Sequence, residues 1–236
     1  MKLKKSQDAL EVKAGLRMSA QDRRQQIIDV ALKLFSEKGF RGTTTKEIAL
    51  AAGINEAIIF RHFATKSDLY AAIIDQKANS SYIQAVHSAI KEAEETGDDQ
   101  KLFQSIAYNL LEFHERDDTA MRMLLYSALE RHELAESIFR NHISKTHGQL
   151  ADYVKSRVNA GVFRRVDPII AVRGFMGMVI SHVLHKKFFQ YGGNENLKIA
   201  NRRLAESLTD IFLASMTNRN YQPQRAPRSR GANKSS

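Results

Sequence analysis

The sequence predicts an all-α fold of about nine helices, on three observations. Apolar residues recur at spacings of three and four along most of the chain, the period of one buried helix face. Alternating β-branched runs are few, and the 236 residues include only three prolines. Helix punctuation repeats as well: Ser, Thr, Asp or Asn stands before the apolar runs, and Gly stands after several of them.

Residues 1–18 are polar and carry Lys2, Lys4, Lys5, Lys13 and Arg17. They read as a basic flexible arm, which either lies along DNA phosphates or serves solubility alone. Ser19 and Asp22 open the first helix, about Ala20 to Lys38, with Ile27, Ile28, Ala31, Leu34 and Phe35 on one face and Gly39 at its end. Thr44 followed by Glu47 is a capping box, in which each side chain satisfies an orphan backbone donor at the start of the second helix. Ile48, Ala49 and Ala52 are its small apolar face, and Gly53 supplies the left-handed residue that ends it. Ile54 packs beneath the turn and Asn55 is an N-cap for a third helix. There Ile59 and Phe63 lie four apart on the inner face, leaving Glu56, Ala57, Ile58, Phe60, Arg61 and His62 for the outside and the rim. Two short helices about a Gly-containing turn make the helix-turn-helix plan, whose second helix enters the DNA major groove. Residues 19–65 are therefore expected to form a three-helix DNA-binding domain.

The stretch from Thr44 to Leu69 reads T-T-x-x-I-A-x-x-A-G-I-x-x-x-x-I-F-x-H-F-x-x-K-x-x-L, with the second Thr at Thr45. It resembles the DNA-binding signature of the tetracycline-repressor (TetR) family, over the N-terminal third of the chain. Asn55 stands where Ser is usual, Ala57 where Gly is frequent, and Phe60 where the family usually has Tyr, so one phenolic bond to phosphate is missing. By the resemblance, Thr45 and Lys46 match positions that meet the DNA backbone and sometimes a base, and Glu56, Ala57 and Ile58 match the base-reading start of the recognition helix. Phe60, Arg61, His62 and Lys66 match positions near phosphates. On chemistry alone, Thr44, Thr45 and Lys46 head a helix whose donors and dipole favour phosphate. A glutamate accepts from cytosine N4, and Ala or Ile touches a thymine methyl. For Phe60 and His62 simple packing remains the other reading, and for Arg61 simple solvation.

Residues 66–218 are expected to form a ligand-binding and dimerisation domain. Thr65 and Asp68 open a fourth helix, whose apolar positions Leu69, Ile73, Ile74, Ala78, Ile83, Val86 and Ile90 carry it to about Ala93 as a rod of roughly 40 Å. Asn79-Ser80-Ser81 is a place for a bend. In the resembled family this helix joins the two domains, and its displacement by ligand moves the DNA heads. A polar loop, Glu94 to Gln100, precedes a fifth helix with Leu102, Phe103, Ile106, Leu110 and Phe113 on one face. Asp117-Asp118 caps a short sixth helix, Thr119 to Leu129, and a seventh runs from about Glu133 to Ala160, closed by Gly161. Asp167-Pro168 is an N-cap followed by Pro at the first helical position. The eighth helix, to about Tyr191, is apolar almost all round and is expected to be buried on both sides. A ninth spans about Glu195 to Met216, with Leu197, Ala200, Leu204, Leu208, Ile211 and Phe212 inward. The tail, 219–236, is too polar and Pro/Gly-rich to order itself.

Composition bounds the function classes. The formal charge of +10 divides as +6 over residues 1–66, −1 over 67–218 and +5 over 219–236. A basic pole on a near-neutral body is the footprint of a phosphate-binding module. There is no cysteine, so neither disulfides nor thiolate chemistry. Residues 1–18 lack the apolar core of a secretory signal. The apolar stretch Pro168 to Leu184 is interrupted by Arg173, Ser181 and His182 and falls short of a bilayer span. The eight histidines show no metal-ligand spacing, and no nucleophile, phosphate-loop or paired-carboxylate motif appears, so no cofactor, metal or catalysis is expected.

A ligand pocket is implied by the resemblance, for an apolar or aromatic effector, with Phe103, Ile106, Phe113, Tyr126, Phe139, Phe175, Met178 and His182 as candidate lining. Plain core is the alternative for each of them. A homodimer through the last two helices is implied too, with Val172, Met176, Val179, Val183, Leu204, Leu208 and Ile211 at the interface. The resulting expectation is a cytoplasmic, ligand-responsive regulator, most often a repressor, on a pseudo-palindromic operator. Two other readings stand beside it: an architectural or non-specific DNA-binding protein, and an enzyme or carrier with a relic helix-turn-helix.

Overall fold

The computed structural model describes residues 18–78, 81–131, 136, 140, 143–189 and 199–218. Among these are ten α-helices: α1 Ala20–Lys38, α2 Thr45–Ala52, α3 Glu56–His62, α4 Lys66–Ala78, α5 Ser81–Thr96, α6 Asp99–Arg116, α7 Thr119–Leu129, α8 Ser144–Asn159, α9 Pro168–Lys187 and α10 Asn201–Met216. An isolated antiparallel bridge pairs Phe163 with Thr217. The chain divides into two compact units, one comprising residues 1–84 and 112–145, the other 85–111 and 146–236. The first unit thus takes in α4 and α7 as well as the three-helix domain expected to end at residue 65.

In the first unit the helix punctuation works as the residue types dictate. Ser19 accepts from the Asp22 amide at 3.0 Å to start α1, and Gly39 ends it at φ +75°. The core is built from Ile27, Ile28, Ala31, Phe35, Ile48, Ile59, Phe63, Leu69 and Ile73, with Met123 from α7. Phe35, Phe40 and Tyr70 form an aromatic cluster with ring centroids 5.1–5.8 Å apart. The buried Tyr70 hydroxyl donates to the Met123 carbonyl at 3.0 Å and meets the Ser127 hydroxyl at 2.5 Å. Burial pushes this phenol up to about 12. Tyr126 donates to the Glu37 carbonyl at 3.1 Å, and the Glu130 carboxylate accepts the Arg41 amide at 3.2 and 3.3 Å. A Cβ on Gly39 would run into that carboxylate. Lys77 and Asp117, 2.6 Å apart, tie α4 to the turn before α7. That turn uses Asp117, which also accepts from Thr119, while Asp118 makes no side-chain cap.

The second unit is organised around Phe103, Phe175 and Phe212, whose ring centroids are 4.7–5.0 Å apart. Leu102, Ile106, Val154, Val172 and Val179 of the same unit are buried as well. Asp99 at the head of α6 accepts from Tyr153 at 2.7 Å and from Arg157 Nε and Nη2 at 2.9 and 2.6 Å. Burial, followed by this bond to Asp99, holds the Tyr153 phenol far above its ordinary range. The end of α10 is fastened to the strand-like segment before α9: Arg164 N–H donates to the Met216 carbonyl at 2.8 Å, and Asn218 N–H to the Val162 carbonyl at 3.0 Å.

Three boundaries and one pattern of burial differ from the expectation. The fourth helix is described as α4 and α5 on either side of Asn79-Ser80, which lie outside the described residues, as does most of the expected seventh helix before Ile143. The helix α9 ends at Lys187 rather than Tyr191. Ala200, expected inside the last helix, is the extended N-cap of α10 at ψ 133°. The fourth difference concerns burial. Helix α9 has the length and apolarity of a bilayer span, yet only one face, Ala171, Val172, Phe175, Val179 and Val183, is buried in the unit. On the other side Ile169 and Ile170 are 41% and 64% exposed, and Gly174, Gly177 and Ser181 are exposed with them.

Candidate nucleic-acid interface

The helix-turn-helix is assembled by side chains that its own sequence supplies. Thr44 caps α2: its hydroxyl accepts from the Glu47 amide at 3.1 Å, and its amide donates to the Glu47 carboxylate at 2.8 Å. Lys38 at the end of α1 binds the same carboxylate at 2.9 Å. The Lys38 bond, then the Thr44 amide and hydroxyl, bring the Glu47 carboxyl down to about 2. Gly53 turns the chain at φ +65°, ψ +35° and donates to the Leu50 carbonyl at 3.2 Å. Asn55 caps α3 through Oδ1, which accepts from the Ala57 amide at 2.8 Å. Ile59 and Phe63 seat α3 in the core. Arg24 of α1 lies 4.9 Å over the Phe63 ring.

This packing turns one face of α3 outward. Ala57, Phe60 and Arg61 are exposed, and Glu56, Ile58 and His62 are half-buried at its rim. Phe60 is 48% exposed, a large ring left on the surface. On the adjoining helix Lys46 and Leu50 are exposed. The expected residues Thr44, Thr45, Lys46, Asn55, Glu56, Ala57, Ile58, Phe60, Arg61 and His62 are all carried on α2, α3 and their caps.

Three of these side chains have work within the chain that sequence reasoning did not foresee. Thr45 donates to the Glu56 carboxylate at 2.5 Å, linking the first residue of α2 to the first residue of α3. A hydroxyl has one proton, so a Thr45 bonded to Glu56 has none for a phosphate. Lys66, expected on phosphate, directs its ammonium to the carbonyls of Phe40 and Thr43 at 2.8 and 2.9 Å, and lies 4.1 Å over the Phe40 ring. Desolvation lowers its pKa against the pull of Glu130 and Glu47. Two carbonyls and the face of the Phe40 ring, all from the α1–α2 connection, surround the ammonium. Lys66 therefore holds the loop that presents Thr44. Only the partner carbonyls, 23 and 26 residues away in sequence, could have revealed this role.

Residues 27–73 match the model of a family described as bacterial regulatory proteins, tetR family. Residues 101–216 match that of the AefR-like transcriptional repressor, C-terminal domain. The chain belongs to the tetR family. Its α1–α3 domain is the DNA-binding domain of a transcriptional regulator. Among curated relatives, the HTH-type transcriptional regulator YvkB of Bacillus subtilis (strain 168) is 26% identical over 197 residues, 82% of this chain and 96% of that protein. The HTH-type transcriptional regulator AcrR of Shigella flexneri is 49% identical over 57 residues, but these make up only 26% of its length. AibR, solved in complex with isovaleryl coenzyme A and operator DNA, shares the fold at a TM-score of 0.61, with 20% identity over 80% of this chain and 97% of the AibR chain.

The TetR-family expectations beyond the DNA head meet the structure unevenly. Phe103, Ile106 and Phe175 are fully buried in the aromatic core of the second unit. Phe103 packs on Phe175 with ring centroids 5.0 Å apart. Phe113 and Tyr126 belong to the first unit, and Tyr126 is fixed to α1. Met178 and His182 are half-buried on α9, and Phe139 lies outside the described residues. A cavity lined by Ala89, Glu92, Ala93, Thr96, Asp98, Lys101, Leu102 and Ser105 holds about 10 Å³, room for about one water. No group of three metal-ligating side chains occurs among the described residues. Of the expected interface residues, Val172, Val179, Val183 and Leu204 face the chain's own core. Apolar period alone cannot tell that core from a partner's. Met176 and Leu208 are half-buried, and Ile211 is 60% exposed.

Proposed function

We propose that this chain is a homodimeric repressor that grips a pseudo-palindromic operator and releases it when a small apolar or aromatic molecule binds its C-terminal part. The observation that carries the reading is the outward face of α3, with Ala57, Phe60 and Arg61 exposed on a scaffold fixed by three side-chain caps. The major groove admits an α-helix presenting such a face, and two copies one helical turn apart read two half-sites. Thr44, Lys46 and Arg61 supply phosphate contacts around it. The match to an AefR-like repressor domain supports the sign of regulation.

The second copy is accommodated by α9 and α10. Ile170, Gly174, Gly177 and Ser181 recur along the exposed side of α9, and Ile211 is exposed on α10. An apolar helix face with small residues admits another helix at close range. Dimerisation by these residues, rather than by Val172 or Leu204, is the arrangement we infer. The protein so described is cytoplasmic and has no catalytic role.

Release by effector is a population shift, and it requires the effector to bind the DNA-incompetent state more tightly. Because AibR was solved with isovaleryl coenzyme A, a thioester apolar only at its acyl end, acyl-CoA thioesters are tried beside the apolar and aromatic compounds. The test is selection of bound duplexes from random DNA by the full chain, followed by footprinting with and without a metabolite panel. A defined protected site that is lost on adding one compound supports the reading. An architectural binder would leave no defined footprint. A relic helix-turn-helix would enrich no sequence at all.

A further inference from the structure

The Thr45–Glu56 bond joins the two helices that meet the groove, and it fixes the only carboxylate on the first turn of α3. We propose that Glu56, held in place by Thr45, is the specificity-determining residue of the recognition helix, and that each operator half-site presents a cytosine beneath it. The inference rests on the reading that α3 enters the major groove.

The chemistry of the neighbours narrows the choice. Asn55 commits its Oδ1 to the Ala57 amide, Ala57 and Ile58 have no polar atoms, and Arg61 is a pure donor. Thr45 uses its proton on Glu56 Oε1, and among the described residues no group bonds Glu56 Oε2. The first turn of α3 thus offers one oriented acceptor, carrying negative charge. In the major groove only cytosine N4 and adenine N6 donate hydrogen bonds. Adenine sets the N7 lone pair beside its amino group, where it repels a carboxylate, and cytosine sets a C–H there. Guanine and thymine present acceptors at the same height, and a phosphate repels Glu56 outright. Cytosine is the base left.

Thr45 is in this account a positioning residue. It removes freedom from a side chain with three rotatable bonds and holds it across the turn. Its expected phosphate contact is replaced by this role.

The experiment selects duplexes from a random pool with the full chain, and with Glu56→Gln, Thr45→Val and Thr45→Ser, each checked by its melting curve. The wild type should enrich a cytosine at one fixed step of each half-site, and changing that base should weaken binding about tenfold. Glu56→Gln should move the preference to adenine, because an amide both donates to N7 and accepts from N6. Thr45→Val should flatten the cytosine preference several-fold with an unchanged melting curve, and Thr45→Ser should restore it. Identical base frequencies for wild type and Glu56→Gln overturn the assignment while the regulator reading stands. Absence of any enriched site for the wild type overturns the regulator reading itself. If Glu56→Gln fails to fold, Glu56→Asp takes its place, and an undiminished cytosine preference with that shorter carboxylate overturns the assignment.

Discussion

Removing the Lys66 side chain separates two roles that the same ammonium could have. In the structure it donates to the carbonyls of Phe40 and Thr43 and covers the Phe40 ring. Bonds to a charged donor contribute about 1.5 kcal/mol each, and the ring contact about 0.5 kcal/mol. Lys66 is half-buried, so water replaces part of what Lys66→Ala removes, and a net loss of about 2 kcal/mol is expected. For a chain of this size that is a fall in Tm of about 4–8 °C. The second readout is the salt dependence of binding to non-specific duplex DNA. A residue on a phosphate contributes about 1 to the slope of log K against log salt. Lys66→Ala should leave the slope unchanged, and Arg61→Ala, exposed on α3, should lower it by about 1. Filter binding or anisotropy at four salt concentrations measures both. A Lys66→Ala protein that melts like the wild type and loses one unit of slope would place the ammonium on DNA and refute the reasoning.

Three further outcomes are expected. Asp99→Ala leaves the Arg157 guanidinium, whose side chain is 21% exposed, without its carboxylate; the loss should be about 3 kcal/mol by calorimetry, and a loss under about 1 kcal/mol would mean a solvated pair. Glu47 titrates at about 2 in the folded chain against 4.5 ordinarily. Its contribution is therefore complete above pH 4.5 and is lost as pH falls toward 2. The Tm of the wild type should fall through that window more steeply than that of Glu47→Gln, and parallel curves would remove Glu47 from the acid response. Ile211→Glu puts a charge on the exposed side of α10 and should convert the dimer to monomer in sedimentation equilibrium, whereas Leu204→Ala should cost stability through the chain's own core; a dimer that persists in Ile211→Glu excludes that face.

Local chemistry was legible and distant chemistry was not. Ser19, Thr44 with Glu47, Gly53, Asn55, Thr65 with Asp68, and Asp167 before Pro168 all act within four residues of themselves, so residue type and spacing suffice to read them. The bond from Thr45 to Glu56 spans 11 residues, that from Lys66 to Phe40 spans 26, and that from Glu130 to Arg41 spans 89. Nothing in the sequence marks those partners. A periodic stripe also says which residues are apolar without saying what they face. Leu34 and Phe35 look alike in the stripe of α1, yet only Phe35 is fully buried. Helix α9 shows the same ambiguity more strongly. With apolar residues on nearly every side, its inner valines and its outer Ile169 and Ile170 could not be told apart until the packing of Phe175 against Phe103 set the inward direction.

The bonds that α7 makes to the first unit bear on how the protein is made. Met123 fills the core beneath Tyr70, Tyr126 is fixed to Glu37, and Glu130 caps the loop after α1. A nascent chain that has cleared the ribosome only as far as α4 lacks all three. At about 5–20 residues per second, the wait for α7 lasts several seconds, during which the head exposes the site where Met123 belongs. The DNA-reading head precedes α7 in the chain and is finished only when that helix arrives. A truncated transcript ending after α4 should therefore yield a head that is a substrate for proteases before it is a competitor for the operator.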